Sequence, residues 1–204
     1  MRKMRTAEEM VEYCYEKGIL IKKRHSQTWK EHFLIIEEIL EENEYAVCCF
    51  AALQYVTTSY GDSGNLYAYA LTNTRILKSR YGDSSRYNLH VISYKDLNNI
   101  TISSKNILID TIKSDESADI SRVGADSIKR ELQPIVEIIL KQKSARERAN
   151  RFTGSVADEL MKFKQLRDEG VLTDAEFQKQ KDLLLNPGWE EFVVDFEAEE
   201  AKED

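Results

Sequence analysis

The chain is predicted to be an α+β protein: N-terminal helices, a seven-stranded antiparallel barrel or sandwich capped by a helix, then a short helical hairpin. Three observations predict this. Capping boxes, a Thr followed three residues later by Glu, open helical stretches near both ends of the chain. Between residues 45 and 121, runs rich in Val, Ile, Tyr and Thr lack a helical period and are broken by Gly, Asp, Asn and Ser. Directly after them, Ile128, Leu132, Ile135, Val136 and Ile139 recur at helical spacing.

The first helix is expected over 7–17. Its capping box is Thr6-Ala-Glu-Glu9, Met10, Tyr13 and Cys14 follow at helical spacing, and Gly18 is a natural stop. A second box, Thr28-Trp-Lys-Glu31, opens a helix carrying Trp29, Phe33, Ile36, Ile39 and Leu40, with Asn43 as its end. Residues 45–55 read as a long strand and Gly61-Asp-Ser-Gly64 as a loop. Strands over 66–71 and 74–80 flank a tight Thr72-Asn73 turn, and Gly82-Asp-Ser-Ser85 makes the next loop. Four more short strands are expected near 87–94, 98–103, 106–112 and 117–121, which completes a meandering sheet of seven.

The closing helix, 125–142, contains Pro134, which offers no amide to the carbonyl four residues back and should kink the helix or interrupt its ladder. These elements divide the chain into a helical segment (1–43), a sheet domain (44–142), a polar basic linker (143–154), a helical hairpin (155–186) and a tail (187–204). In the hairpin, Gly170 stops the first helix and Thr173-Asp-Ala-Glu176 caps the second.

Composition narrows the function. The net charge of −7 comes entirely from the tail, which has eight acids against Lys202, while residues 1–186 hold 28 bases and 28 acids. A neutral body argues against generic nucleic-acid binding. No apolar run reaches the ~20 residues of a membrane span, and acids follow the basic N-terminus where a leader would be apolar, so a cytoplasmic protein is expected. Cys14, Cys48 and Cys49 do not form a disulfide framework, and adjacent Cys48 and Cys49 would point to opposite faces of a strand, poorly placed to share a metal. They read as buried small hydrophobes.

Two family resemblances follow from local wording. Leu71-Thr72-Asn73-Thr74-Arg75-Ile76-Leu77, Tyr94-Lys-Asp96-Leu97-Asn-Asn-Ile100 and Leu40-Glu-Glu-Asn-Glu44 resemble the hairpin, later strand start and helix end of bacterial pleckstrin-homology (PH)-like domains. The resemblance covers residues 28–142 and implies seven strands and a closing helix. Leu166-Arg-Asp-Glu-Gly170-Val-Leu-Thr173-Asp-Ala-Glu176-Phe177, followed by Leu184-Leu185, is similar to the SHOCT signature. That resemblance implies a short helical hairpin that promotes oligomerisation. The chain departs from the family pattern by continuing past the hairpin into the tail.

Elementary packing agrees with self-association. A hairpin of ~30 residues without disulfide or metal buries too little surface to fold alone. Its apolar set, Leu160, Phe163, Leu166, Leu172, Phe177 and Leu184, therefore needs a second surface, either the body of the same chain or a second copy. No nucleophile elbow, phosphate-cradling glycine loop or metal-ligand spacing around His25, His32 or His90 occurs, so neither catalytic residues nor a cofactor nor a metal is expected.

Other surfaces carry competing readings. In eukaryotic PH domains the first hairpin loop often supplies bases for inositol phosphates, but here Thr57–Asn65 has one acid and no base. Arg75, Lys78, Arg80 and Arg86 form a partner patch or simply guard sheet edges. Lys141, Lys143, Arg146, Arg148 and Arg151 either extend a helix into solvent or meet an anionic surface. Trp189, Phe192 and Phe196 mix with acids in the tail, as a docking peptide does, although a disordered acidic tail reads the same way. The tail of one subunit could also pair with the basic linker of another. The leading expectation is a non-enzymatic scaffold that binds itself and one further protein. Alternatives are a phage or mobile-element regulator acting through its acidic tail on a nucleic-acid-binding partner, and a peripheral membrane binder.

Overall fold

The structure, a computed structural model, describes residues 1–20, 26–58, 61–81, 88–121, 123–152, 156–185 and 192–197. Two helices, α1 (Ala7–Glu16) and α2 (Ser26–Glu37), precede the strands. These are β1 (Ala46–Thr58), β2 (Gly61–Thr72), β3 (Arg75–Arg80), β4 (Asn88–Ser93), β5 (Leu97–Ile102), β6 (Asn106–Thr111) and β7 (Asp115–Asp119). Helices α3 (Ala125–Phe152), α4 (Val156–Asp168) and α5 (Asp174–Leu185) follow. The strands form one antiparallel sheet in the order β4-β3-β2-β1-β7-β6-β5. The α+β class, the seven strands and the helical pair after them are as expected, and the PH-like plan of strands followed by a helix is present. Two compact units result, residues 1–140 with 193–204, and residues 141–192.

Local chemistry explains the element ends. Thr6 Oγ1 accepts from the Glu9 amide at 3.2 Å and the Glu9 carboxylate accepts from the Thr6 amide at 3.0 Å, so the first capping box forms in full. Helix α1 ends at Gly18, whose φ of +69° suits a residue without Cβ. Helix α2 begins at Ser26 and ends at Glu37, both earlier than the sequence suggests. Its end tightens because the Ile39 and Leu40 amides reach back only three residues, to Ile36 and Glu37. The first hairpin runs further than expected, with ladder pairing out to Thr58↔Gly61. Residues 61–64 are therefore strand rather than loop, since ladder bonds outweigh a loop-like composition. Helix α3 likewise runs past residue 142 to Phe152 with Pro134 inside it, so the basic run is helical where a linker was expected.

Over residues 46–52, 67–72 and 76–79 the first three strands are buried on both faces. Ala51 pairs with Ala68, Cys49 with Ala70, Ala70 with Leu77 and Ala68 with Ser79, which makes one face of small side chains. The N-terminal helices lie close upon it: the Cys14 thiol donates to the Cys49 carbonyl at 3.3 Å and the Ser79 hydroxyl to the His32 carbonyl at 2.6 Å. Met10, Cys14, Phe33 and Ile36 are buried there. The opposite face carries Phe50, Tyr67, Tyr69 and Lys78, with Phe50 and Tyr69 stacked 4.8 Å apart. In α3 the predicted stripe of Ile128, Leu132, Ile135, Val136 and Ile139 is buried throughout.

His32 makes this packing sensitive to pH. Its Nδ1 accepts from the Tyr81 amide at 2.8 Å, and burial together with the nearby Arg80 charge pushes its pKa down to about 4. The unfolded chain titrates near ~6.5, so between those values it binds a proton that the folded chain refuses. Stability is complete above roughly pH 6.5 and falls as pH drops towards 4, by on the order of 3 kcal/mol across the whole window. Urea unfolding midpoints measured from pH 4 to 7 should show this slope, and His32→Asn should flatten it.

Candidate interaction surfaces

The hairpin of α4 and α5 leaves its apolar residues uncovered. Gly170, at φ +76°, turns the chain after α4, and the Val171 and Leu172 amides both bond the Leu166 carbonyl. The third capping box forms, with the Thr173 hydroxyl accepting from the Glu176 amide and the Glu176 carboxylate from the Thr173 amide. The Arg167 guanidinium lies 4.8 Å from the Phe177 ring centre. Leu160, Phe163, Leu166, Leu172 and Phe177 are each only half-buried, Met161 and Val171 are about two-thirds exposed, and no residue between 158 and 181 is buried. Leu184 belongs to α5, but its side chain lies outside the described residues.

The cations of the sheet domain do not form the expected patch. Lys78 is 1% exposed and bonds the Glu116 carboxylate at 2.8 Å, with its ammonium 4.6 Å from the Tyr67 ring centre. Because Lys78 lies on β3 and Glu116 on β7, the pair joins strands separated by β2 and β1 in the sheet. The Tyr69 hydroxyl is buried beside this cluster without a hydrogen-bond partner. Arg75 is engaged as well. Its guanidinium holds Glu44 at 2.8 Å and bonds the Ile39 carbonyl. Arg80 is half-buried near His32, and Arg86 lies outside the described residues. Neither a partner patch nor a solvated sheet edge describes Lys78: β3 is buried on both faces from Ile76 to Ser79, so a cation there must be paired inside.

The tail is also ordered in part. From 192 to 197 burial alternates: Phe192, Val194 and Phe196 are buried, Val193, Asp195 and Glu197 exposed. The Val194 amide donates to the Asn73 carbonyl at 2.6 Å, and Glu197 meets Lys3 at 2.5 Å. Phe192 has the Arg146 guanidinium 5.5 Å from its ring centre. The rings proposed for partner contact at 192 and 196 are thus already buried by this chain, while Trp189 lies outside the described residues. Burial of Phe192, Val194 and Phe196 stabilises by roughly 1.5–3 kcal/mol each. Ordering six residues costs about 1–2 kcal/mol per residue, so the segment is seated but not locked.

The thiols are placed for packing. Cys14, Cys48 and Cys49 are wholly buried, and burial pushes the Cys48 thiol up to about 12 and those of Cys14 and Cys49 well above the ordinary thiol range. Among the described residues no group of His, Cys, Asp and Glu is arranged to hold a metal ion, and no helix is long and apolar enough to cross a membrane.

The chain thus combines an α+β body of seven antiparallel strands with a short helical hairpin whose apolar residues are incompletely buried. The hairpin is a SHOCT domain: residues 158–185 match the family described as Short C-terminal domain. No curated protein matches the chain. Among solved structures it is similar to autoinhibited Vav1, with 14% identity and a TM-score of 0.32. That match covers 63% of this chain and 24% of the other, so the chain spans about a quarter of that protein's length.

The buried pair sets a stability test. Lys78→Ala strands the Glu116 carboxylate and should destabilise the fold by about 3 kcal/mol in urea unfolding. Lys78→Met combined with Glu116→Leu should recover most of that loss, because apolar side chains of similar volume replace two charges at once.

Proposed function

We propose that this chain is a non-enzymatic adaptor of the cytoplasm that self-associates through its SHOCT hairpin and presents its PH-like body to a second protein. The observation that carries the reading is the uncovered state of the hairpin. Five large apolar side chains share it, and none is buried within the single chain. Their half-burial leaves roughly 1 kcal/mol each to be gained on full enclosure. Two copies would thus gain about 10 kcal/mol, against an association cost of roughly 4–15 kcal/mol. At the low end of that cost the surplus is about 6 kcal/mol, which corresponds to weak, concentration-dependent pairing at tens of micromolar. Identical chains pair most simply about a two-fold axis, each hairpin covering the other.

The other readings find less support. A regulator acting through a free acidic tail needs Val194 and Phe196 exposed, and both are buried. A membrane-surface reading needs a cationic face, and two of its candidate residues, Arg75 and Lys78, are committed to Glu44 and Glu116.

Sedimentation velocity of the full chain from 1 to 100 μM should show mass rising with concentration. Phe163→Asp combined with Phe177→Asp should hold it at a single-chain mass throughout, with the circular dichroism of the sheet domain unchanged. A wild-type chain that stays monomeric across the range would overturn the reading.

A further inference from the structure

The corner of the body that holds the tail is built without the tail. Met4 pairs with Ala46 in both directions, at 2.9 and 2.8 Å, which fixes the N-terminal residues beside the start of β1. Asn73 closes on Tyr45 twice: its amide donates to the Tyr45 carbonyl at 3.1 Å, and its side-chain oxygen accepts from the Tyr45 amide at 3.0 Å. The Asn73 side-chain nitrogen also donates to the Asn43 carbonyl at 3.1 Å. None of these bonds uses residues 192–197. They leave the Asn73 carbonyl, the Tyr45 ring and the Lys3 ammonium, 4.8 Å from that ring centre, side by side. The site is therefore preformed, with a backbone acceptor, an aromatic face and a cation.

Its occupant shows which chemistry it takes. An extended segment offers an amide to Asn73 at Val194, buries Val194 and Phe196 on one side, and sets Glu197 on Lys3. We propose that this corner is a peptide-binding seat for an extended acidic segment with apolar side chains at alternate positions, and that in the assembled protein it takes the tail of a second copy. Resting on the self-association reading above, the proposal adds a second link between copies. The tail of a second copy fits by identity, because every contact made within one chain can be made between two. The tail also follows the hairpin in sequence, so hairpin pairing brings a neighbour's tail to an effective concentration on the order of mM. Exchange costs no contact and is decided by how the neighbour's effective concentration compares with that of the chain's own tail.

Thiol crosslinking reads the exchange directly. One chain carries Lys3→Cys and a differently tagged chain carries Glu197→Cys; the native thiols, all wholly buried, stay silent. The two chains are mixed, their mass is measured, and a short bismaleimide is added. Exchange predicts a mixed crosslinked dimer several-fold above the yield of either variant alone. Phe196→Ala or Val194→Pro in the tail donor should reduce it to that background, the latter because it removes the donated amide. A mixed yield no higher than background, or one indifferent to both tail changes, overturns the exchange. Oligomers without the mixed crosslink leave the hairpin reading standing and sink this one. A crosslink that persists with Phe163→Asp and Phe177→Asp sustains the exchange on its own, and a monomeric mixture without crosslink removes both.

Discussion

The body depends on one buried carboxylate. Glu44, 1% exposed, lies where α2 has ended and β1 has yet to begin, and five donors converge on it. Thr72 and Thr74 donate their hydroxyls at 2.7 and 2.6 Å, Arg75 donates at 3.0 and 2.8 Å, and the Glu41 amide at 3.2 Å. Burial alone would raise its pKa, yet the bonds from Arg75, Thr72, Thr74 and Glu41 outweigh burial and hold it below the ordinary glutamate range. A charge removed from water at a cost of several kcal/mol persists only when its lone pairs are met this fully. The network ties the helix end to the β2–β3 turn, and that turn presents Asn73 to both Tyr45 and the tail.

Viewed from that network, the wording Leu71-Thr72-Asn73-Thr74-Arg75 has a physical meaning. Thr72 and Thr74 are there for their hydroxyls, Asn73 for a side chain that bonds backbone on two sides, and Arg75 for a planar fork that meets Glu44. Tyr94 completes it by donating to the Thr72 carbonyl at 2.6 Å. A lysine at 75 would carry the charge without the fork and would leave the Ile39 carbonyl unmet. The second internal pair, Lys78 with Glu116, does comparable work at the other end of β3, fixing β7 relative to β3 through a directional contact that apolar packing lacks.

Legibility in the sequence followed the range of the forces involved. Capping boxes at Thr6 and Thr173 and the stops at Gly18 and Gly170 are local chemistry, and they formed as read. The stripe from Ile128 to Ile139 was legible because helical period reports burial directly. Misreadings arose where a distant element decides. Lys78 alternates like a surface residue, and only the approach of Glu116, 38 positions on, makes it an interior one. Phe196 was readable as apolar, but nothing nearby in sequence names Asn73 as the partner of Val194 or Lys3 as the partner of Glu197. The end of α2 moved because Arg75 takes the Ile39 carbonyl, which frees that turn from helical bonding.

The two parts beyond the sheet domain sit on the same energetic margin, and this bears on how the chain works. A hairpin with half-buried leucines and phenylalanines is under-stabilised alone, and a six-residue segment held by three buried side chains is close to balance. On the proposed reading the hairpin gains from a neighbour burial that it lacks within one chain, and the tail has contacts that an identical copy satisfies without new chemistry. The ion pairs of the sheet domain, by contrast, are each made within the chain, with Glu44 and Lys78 as the buried members. Concentration would then act on the hairpin and the tail while leaving the sheet domain unchanged, which separates the energy of folding from the energy of assembly. A protein that assembled in the proposed way would change its number of copies without changing the surface that each copy presents.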